Sequence, residues 1–206
     1  MMADHLIVFT RYPAPGETKT RLIPALGAAG AADLQQKMTE HTLKQVQACQ
    51  RLRSLTVDIR FTGATQAAMQ TWLGAQWIYR PQGGGDLGDR LLRAFAAAAI
   101  AGCRQIVAIG IDCPQLNAAR LDQAFEQLSK CNIVLGPAAD GGYYLIGLKQ
   151  PLPELFEAID WGTSTVLAQT VAAAEKAGLS VAYLNTLEDV DEPKDLAVWE
   201  AVCGDC

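Results

Sequence analysis

The residues able to do chemistry fall in a few short segments, and the first of these is the richest in charge. Thr10-Arg11-Tyr-Pro-Ala-Pro-Gly16-Glu-Thr-Lys19-Thr20-Arg21-Leu22 places three cations within eleven positions. Arginine presents a planar fork for bidentate contact with phosphate oxygens, and lysine supplies a compact charge. Pro13, Pro15 and Gly16 restrict the loop and let its backbone turn closely around a ligand. The segment therefore reads as a phosphate-binding loop, with a solvated, positively charged turn as the plainer reading. It is not a Walker A loop, because Thr18 stands where that motif needs a glycine before the lysine. The dinucleotide pattern G-x-G-x-x-G is absent from this first turn as well. A phosphate here must be held by another device.

Five further segments carry candidate groups. Gln82-Gly83-Gly84-Gly85-Asp86-Leu87-Gly88-Asp89-Arg90 has four glycines in six positions, which permits close backbone approach to a flat or phosphorylated ligand. Asp86 or Asp89 can also cap the helix that follows. Gly110-Ile111-Asp112-Cys113-Pro114 ends an apolar run with a carboxylate. That group is costly to bury unpaired but well suited to Mg²⁺ or Mn²⁺; a cap before Pro114 is the alternative. Asp140-Gly141-Gly142 places a carboxylate in a turn, although Asp-Gly is a common turn dipeptide. Trp161-Gly162-Thr163-Ser164-Thr165 opens a helix with three hydroxyls, either a cap or an anion site. Glu188-Asp189-Val190-Asp191-Glu192 is an acidic run following the last strand. His5 and His41 have no metal-ligand spacing between them.

The elements that must position these groups alternate. Residues 5–10 and 105–111 are apolar runs with the character of buried strands, and 55–62 and 76–79 add two more. Helical stretches lie between them at 27–52, 64–73, 89–101 and 121–130. The strands 133–135 and 143–148 are joined by too short a loop for a parallel crossover, so they form an antiparallel excursion. A helix at 164–177, a strand at 180–184 and a tail helix after Pro193 complete the chain. The pattern implies a three-layer α/β/α fold with a mostly parallel, Rossmann-like sheet, read as one domain over residues 1–206. In such a sheet ligands bind at the carboxyl ends of the strands, where all six segments lie.

Composition narrows the function classes. The 206 residues are half hydrophobic and 19% charged, enough for a sizeable core. A net charge of -5 argues against a general nucleic-acid binder, which needs a phosphate-neutralising surface. No segment reaches the roughly 18 to 20 apolar residues of a membrane span. Leu6-Ile7-Val8-Phe9 behind Asp4 is too short for a secretory signal, so a cytoplasmic location is expected. The cysteines suit that setting, and Cys203-Gly-Asp-Cys206 at the chain end reads as a tail rather than a redox motif.

Taken together, the segments resemble the GT-A-like nucleotide-diphospho-sugar transferase superfamily. Within it they are most similar to bacterial proteins of about this size regarded as glycosyltransferases, some of them linked to arsenosugar synthesis. The markers are Phe9 to Gly16 with Lys19-Thr-Arg-Leu22, Gly85-Asp-Leu-Gly88, Gly110-Ile-Asp-Cys-Pro114, Asp140-Gly-Gly-Tyr-Tyr144 and Asp189-Val-Asp-Glu-Pro-Lys-Asp-Leu196. The Lys-Thr-Arg-Leu element is also similar to the 2-phospho-lactate guanylyltransferases. The likeness implies that Arg11, Lys19, Thr20 and Arg21 meet nucleotide phosphates, and that Gly84, Gly85 and Asp86 line the base or ribose pocket. It implies that Asp112 binds a divalent cation, with its second ligand from Asp189 or Asp191. By the same likeness, Asp140, Gly141, Trp161 and Ser164 would face the acceptor.

Two chemistries fit. A glycosyltransferase would move a sugar from a nucleotide-diphospho-sugar to a small-molecule acceptor, with Asp140 as base and Lys19 and the metal on the departing diphosphate. A nucleotidyltransferase would condense a nucleoside triphosphate with a phosphorylated small molecule and release pyrophosphate. A nucleotide-binding module without catalysis is the third reading, motivated by the single carboxylate at Asp112.

Overall fold

In the computed structural model, which describes residues 4–204, seven strands form one sheet in the order β3-β2-β1-β4-β6-β5-β7. The strands are β1 (Asp4–Arg11), β2 (Leu55–Thr62), β3 (Ile78–Pro81), β4 (Ile106–Ile109), β5 (Ile133–Pro137), β6 (Tyr143–Leu148) and β7 (Val181–Tyr183). β1 runs parallel to β2 and β4, β2 to β3, and β5 to β7. β6 lies antiparallel between β4 and β5. The short 138–142 turn enforces this, since a parallel return needs a crossover of a dozen residues or more. The expected mostly parallel sheet with its antiparallel excursion is the fold observed.

Alternation along the strands builds two cores. Leu6, Val8, Ile59, Phe61, Val107 and Ile109 face α1 (Ile23–Leu52), α2 (Gln66–Leu73), α4 (Ala118–Lys130) and α6 (Leu196–Cys203). Ile7, Ile106, Ala108, Leu135 and Ile146 face α3 (Leu87–Ile100) and α5 (Val166–Lys176), where Phe95 and Phe156 fill the layer. Period-2 side-chain direction thus covers both faces, as a sheet that is largely parallel requires.

Caps move several boundaries away from their sequence-based positions. α3 starts at Leu87 rather than 89, because Asp86 and Asp89 form a reciprocal capping box. α4 starts at Ala118 because the Asn117 side chain accepts from the Arg120 N–H at 3.0 Å. β3 lies two residues later than the apolar run suggested and ends at Pro81, where the chain turns into the glycine loop. Gly27, at φ 69°, separates an opening turn from the body of α1. The three hydroxyls before α5 do not cap it. Thr163 Oγ1 instead donates to the Asp160 carbonyl at 2.7 Å and lies 2.7 Å from Thr165 Oγ1. Cys206 and the Cys203 side chain lie outside the described residues, and Cys49, Cys103, Cys113 and Cys131 are free thiols. Among the described residues no helix is long and apolar enough to cross a membrane.

Candidate functional site

The loop after β1 folds back over the carboxyl edge of the sheet. Arg11 Nη1 donates to the Glu17 carbonyl at 2.7 Å, closing the loop on itself. Lys19 takes a left-handed backbone conformation, φ 47° and ψ 43°, that turns the chain into the 3-10 turn Thr20–Leu22. Its ammonium enters the site and donates to the Asp112 carboxylate and to the Val190 carbonyl, the latter at 2.6 Å. Asp191 Oδ1 is 3.8 Å from the same nitrogen, and Arg21 pairs with Asp191 from outside at 2.8 Å. The Val190 N–H bonds the Asp112 carbonyl at 2.8 Å. Three segments far apart in sequence are thereby tied together at Lys19.

Two cavities adjoin at this knot. The larger, about 550 Å³, is lined by Arg11, Lys19, Gln82, Arg90, Asp112 and Tyr144 among others. Its far side rests on the glycine loop, which α3 holds from below. Arg93 donates to the Gln82 and Gly84 carbonyls at 2.7 and 3.0 Å, and Arg90 Nε to the Gly85 carbonyl at 3.0 Å. The Gln82 amide donates to the Thr10 and Arg60 carbonyls at 3.0 and 3.1 Å, fastening the loop to β1 and β2. The positive φ of 83° at Gly83 favours glycine, and a Cβ there would stand 2.6 Å from Arg93 Nη1 and push the guanidinium aside.

The smaller cavity, about 260 Å³, shares Leu87, Asp112, Tyr143, Tyr144 and Asp191 with the larger. Four carboxylates line it: Asp112, Asp140, Asp189 and Asp191. Burial, reinforced by the neighbouring Asp140, pushes the Asp189 carboxyl above its ordinary range. The opposite wall is aromatic. Tyr143 meets Trp161 edge-on with centroids 6.4 Å apart, and Phe156 and Phe95 continue the stack into the core. Asp140 Oδ1 accepts from the Gly142 N–H at 2.8 Å, which fixes the carboxylate in its turn. Gly141 packs directly on the Ser164 backbone, and the Leu167 N–H bonds the Gly141 carbonyl at 3.0 Å, docking the start of α5 on the same turn.

The structure thus gathers Arg11, Lys19, Asp112 and Asp191 around the larger cavity, and Asp112, Asp140, Asp191 and Trp161 around the smaller. Gly84, Gly85, Asp86, Thr20, Arg21, Gly141 and Ser164 stand behind these linings, with Arg21 facing a third hollow beside Glu188 and Lys194. Sequence reasoning did not single out Arg90, Gln82, Tyr143 or Tyr144 as site residues. Arg90 had a usable signal, since it lies one helical turn beyond the capping Asp86 and so returns to the glycine loop. Among the described residues no three His, Cys, Asp or Glu side chains are grouped as a metal-holding set. Asp112 and Asp191 converge on an ammonium instead.

Comparison with known proteins places the family and the fold. A family model described as "Uncharacterized protein conserved in bacteria (DUF2064)" matches residues 42–163. A protein of Desulfovibrio desulfuricans G20, provisionally described as a nucleotide-diphospho-sugar transferase, superposes with a TM-score of 0.90 at 31% identity. That match covers 97% of this chain and 87% of the other. CMP:2-keto-3-deoxy-manno-octonic acid synthetase complexed with CTP gives a TM-score of 0.62 at 9% identity, covering 98% and 99% of the two chains. Rv0371c of Mycobacterium tuberculosis H37Rv in complex with manganese gives 0.55 at 12% identity, covering 100% of both. The last two likenesses are of fold. No curated protein matches the sequence.

Proposed function

The chain belongs to the DUF2064 family of bacterial proteins, and within that family we propose that it is a nucleotide-utilising transferase that moves a sugar from a nucleotide-diphospho-sugar to an unphosphorylated small-molecule acceptor. The observation that carries this reading is the division of charge between the two adjoining cavities. The larger is lined by Arg11, Lys19 and Arg90, which suits a diphosphate. The smaller adds Asp140 and Asp189 to the Asp112 and Asp191 that it shares with the larger, and among the described residues no lysine or arginine lines it. A phosphorylated second substrate would meet like charge there, whereas hydroxyl groups find acceptors in the carboxylates and a sugar face finds the rings of Trp161 and Tyr143.

The residues present suit a hard divalent cation. Asp112, Asp191 and the Val190 carbonyl offer oxygen around one position, and diphosphate oxygens would complete the shell. When bound, such a cation supplies Lewis-acid stabilisation of the departing diphosphate. Lys19 and Arg11 contribute charge to the same leaving group. Asp140, held through Oδ1, accepts the acceptor hydroxyl's proton at Oδ2 as its oxygen attacks the anomeric carbon and the bond to the diphosphate breaks.

Product analysis tests the proposal. The protein is incubated with a panel of nucleotide sugars, Mg²⁺ or Mn²⁺ and candidate acceptors, and in parallel with nucleoside triphosphates and sugar phosphates. Release of a nucleoside diphosphate, lost in Asp140→Asn, is the expected result. Pyrophosphate release from a triphosphate and a sugar phosphate would replace this reading with nucleotidyl transfer.

A further inference from the structure

We infer that Lys19 is a tethered counter-cation: in the free protein its ammonium occupies the place of the divalent cation, and nucleotide phosphate must draw it away before the metal enters. The inference rests on the metal-assisted reading above and concerns how Lys19 controls that site. The Lys19 side chain is only 4% exposed, whereas its partners Asp112 and Asp191 are 51% and 40% exposed. The carboxylates are thus open to solvent and to an incoming ion, while the charge between them is covered by protein.

Geometry makes the two cations exclusive. Lys19 Nζ has the Asp112 carboxylate, the Val190 carbonyl and Asp191 Oδ1 around it. Mg²⁺ binds oxygen at about 2.0–2.1 Å and demands near-octahedral placement, so an ion bridging these oxygens takes the volume the nitrogen fills. A nitrogen displaced by only a few ångströms would still face a divalent charge at close range, so the ammonium needs a new anionic partner. A diphosphate in the adjoining cavity is that partner, because Lys19 lines both the knot and the cavity. The left-handed Lys19 backbone, rare for a residue with a side chain, aims it at the carboxylates rather than along the loop. Metal and nucleotide therefore assist one another, and by linkage each raises the other's affinity by the same factor.

The test uses Mn²⁺ alone and the nucleotide-free protein, with affinity read from the electron paramagnetic resonance signal of free Mn²⁺. Lys19→Met removes the charge at similar length, and Lys19→Gln is a second variant in case the first is poorly folded, with circular dichroism melts reporting the fold. Both are expected to bind Mn²⁺ at least about ten-fold tighter than the wild type, within the usual range of coupling between sites. Adding Asp112→Asn to either variant should abolish the gain. Variants that bind Mn²⁺ no tighter than the wild type, or a gain that survives Asp112→Asn, would overturn the inference. The readings beneath it fail on different evidence: metal assistance on nucleoside diphosphate release by the wild type that is indifferent to chelation of all divalent ions, and sugar transfer on pyrophosphate release in its place.

Discussion

Lys19 and Val190 are 171 positions apart in the chain, and the Lys19 ammonium donates to the Val190 carbonyl at 2.6 Å. The same peptide segment is held from the other side, because the Val190 N–H bonds the Asp112 carbonyl at 2.8 Å. The loop after β1, the end of β4 and the acidic run after β7 are thus one unit. One lysine joins the loop that reads as phosphate-binding to the carboxylates that read as metal-binding. A change at Lys19 therefore acts on both.

Lys19→Ala is expected to lower kcat by about 10²–10³-fold, the usual effect of deleting one preorganised group that stabilises developing charge. Lys19→Arg should not restore it, since a planar guanidinium does not fit between two carboxylates and a carbonyl arranged around a point charge. Steady-state kinetics on the nucleotide-sugar donor, beside a thermal melt showing a folded protein, checks this. Full activity of Lys19→Ala would remove Lys19 from the machinery, and full activity of Lys19→Arg would show that the site accepts a guanidinium.

Gly88 controls the aromatic wall from behind. A Cβ there would lie 2.8 Å from the Phe156 carbonyl and 2.8 Å from Trp161 Nε1, and the Phe156 carbonyl cannot move without its strand-following turn. Gly88→Ala is expected to cost about 1–3 kcal/mol by overpacking. It should also raise KM for the acceptor more than for the donor, because Trp161 lines only the smaller cavity. Urea denaturation and the two KM values measure the pair of effects. A donor KM that rises as much as the acceptor KM would dissociate Trp161 from acceptor binding.

Much of this was legible because strands and charges obey short-range rules. Apolar runs located β1 and β4, alternation located β2, and the shortness of the 138–142 turn gave the antiparallel placement of β6. The cations of the first loop and the carboxylates at Asp112 and Asp140 stood out by type and position at strand ends. The pairing of Lys19 with Asp112 was not legible, because it depends on a left-handed backbone at a non-glycine residue. A Cβ on Gly83 or Gly85 would meet Arg93 or Asp89, contacts that the glycine run did not announce, whereas a Cβ on Gly84 would stand in open space. That packing arises from the helix after the loop, which sequence spacing alone does not orient. Asp58, Arg60 and Arg80 drew no attention either, since a strand with buried charges looks like an ordinary alternating one until its uncovered face is filled.

His5 supplies a pH dependence. Burial holds its imidazole below the ordinary 6.5; Asp58 pulls the other way, and Arg80 and Arg60 add to the lowering. The folded protein therefore binds this proton less readily than the unfolded chain. The neutral ring's contribution to stability is complete above pH 6.5 and is lost as the pH falls through the lowered folded value. Melting temperatures taken from pH 7.5 down to pH 5 should fall more steeply for the wild type than for His5→Asn, which keeps a partner for Thr56 Oγ1 but does not titrate. Parallel slopes would assign the acid sensitivity elsewhere.

Asp58 is fully buried between β1 and β3 and holds two guanidinium groups, Arg60 at 2.9 Å and Arg80 at 2.8 Å. Arg80 is half exposed and can return to water, but the Arg60 side chain is buried and cannot. Asp58→Asn leaves that charge uncompensated, and the loss of one partner of a buried ion pair costs about 3–5 kcal/mol. The effect should reach the site, because the Arg60 carbonyl accepts from the Gln82 amide at 3.1 Å and the same amide pins the glycine loop to Thr10. The variant is therefore expected to melt well below the wild type and, at temperatures where it is folded, to show a raised KM for the nucleotide sugar with the acceptor KM unchanged. Chemical denaturation and donor kinetics test the two parts separately. A destabilised protein with wild-type donor KM would confine the buried charges to holding β2 and β3 together.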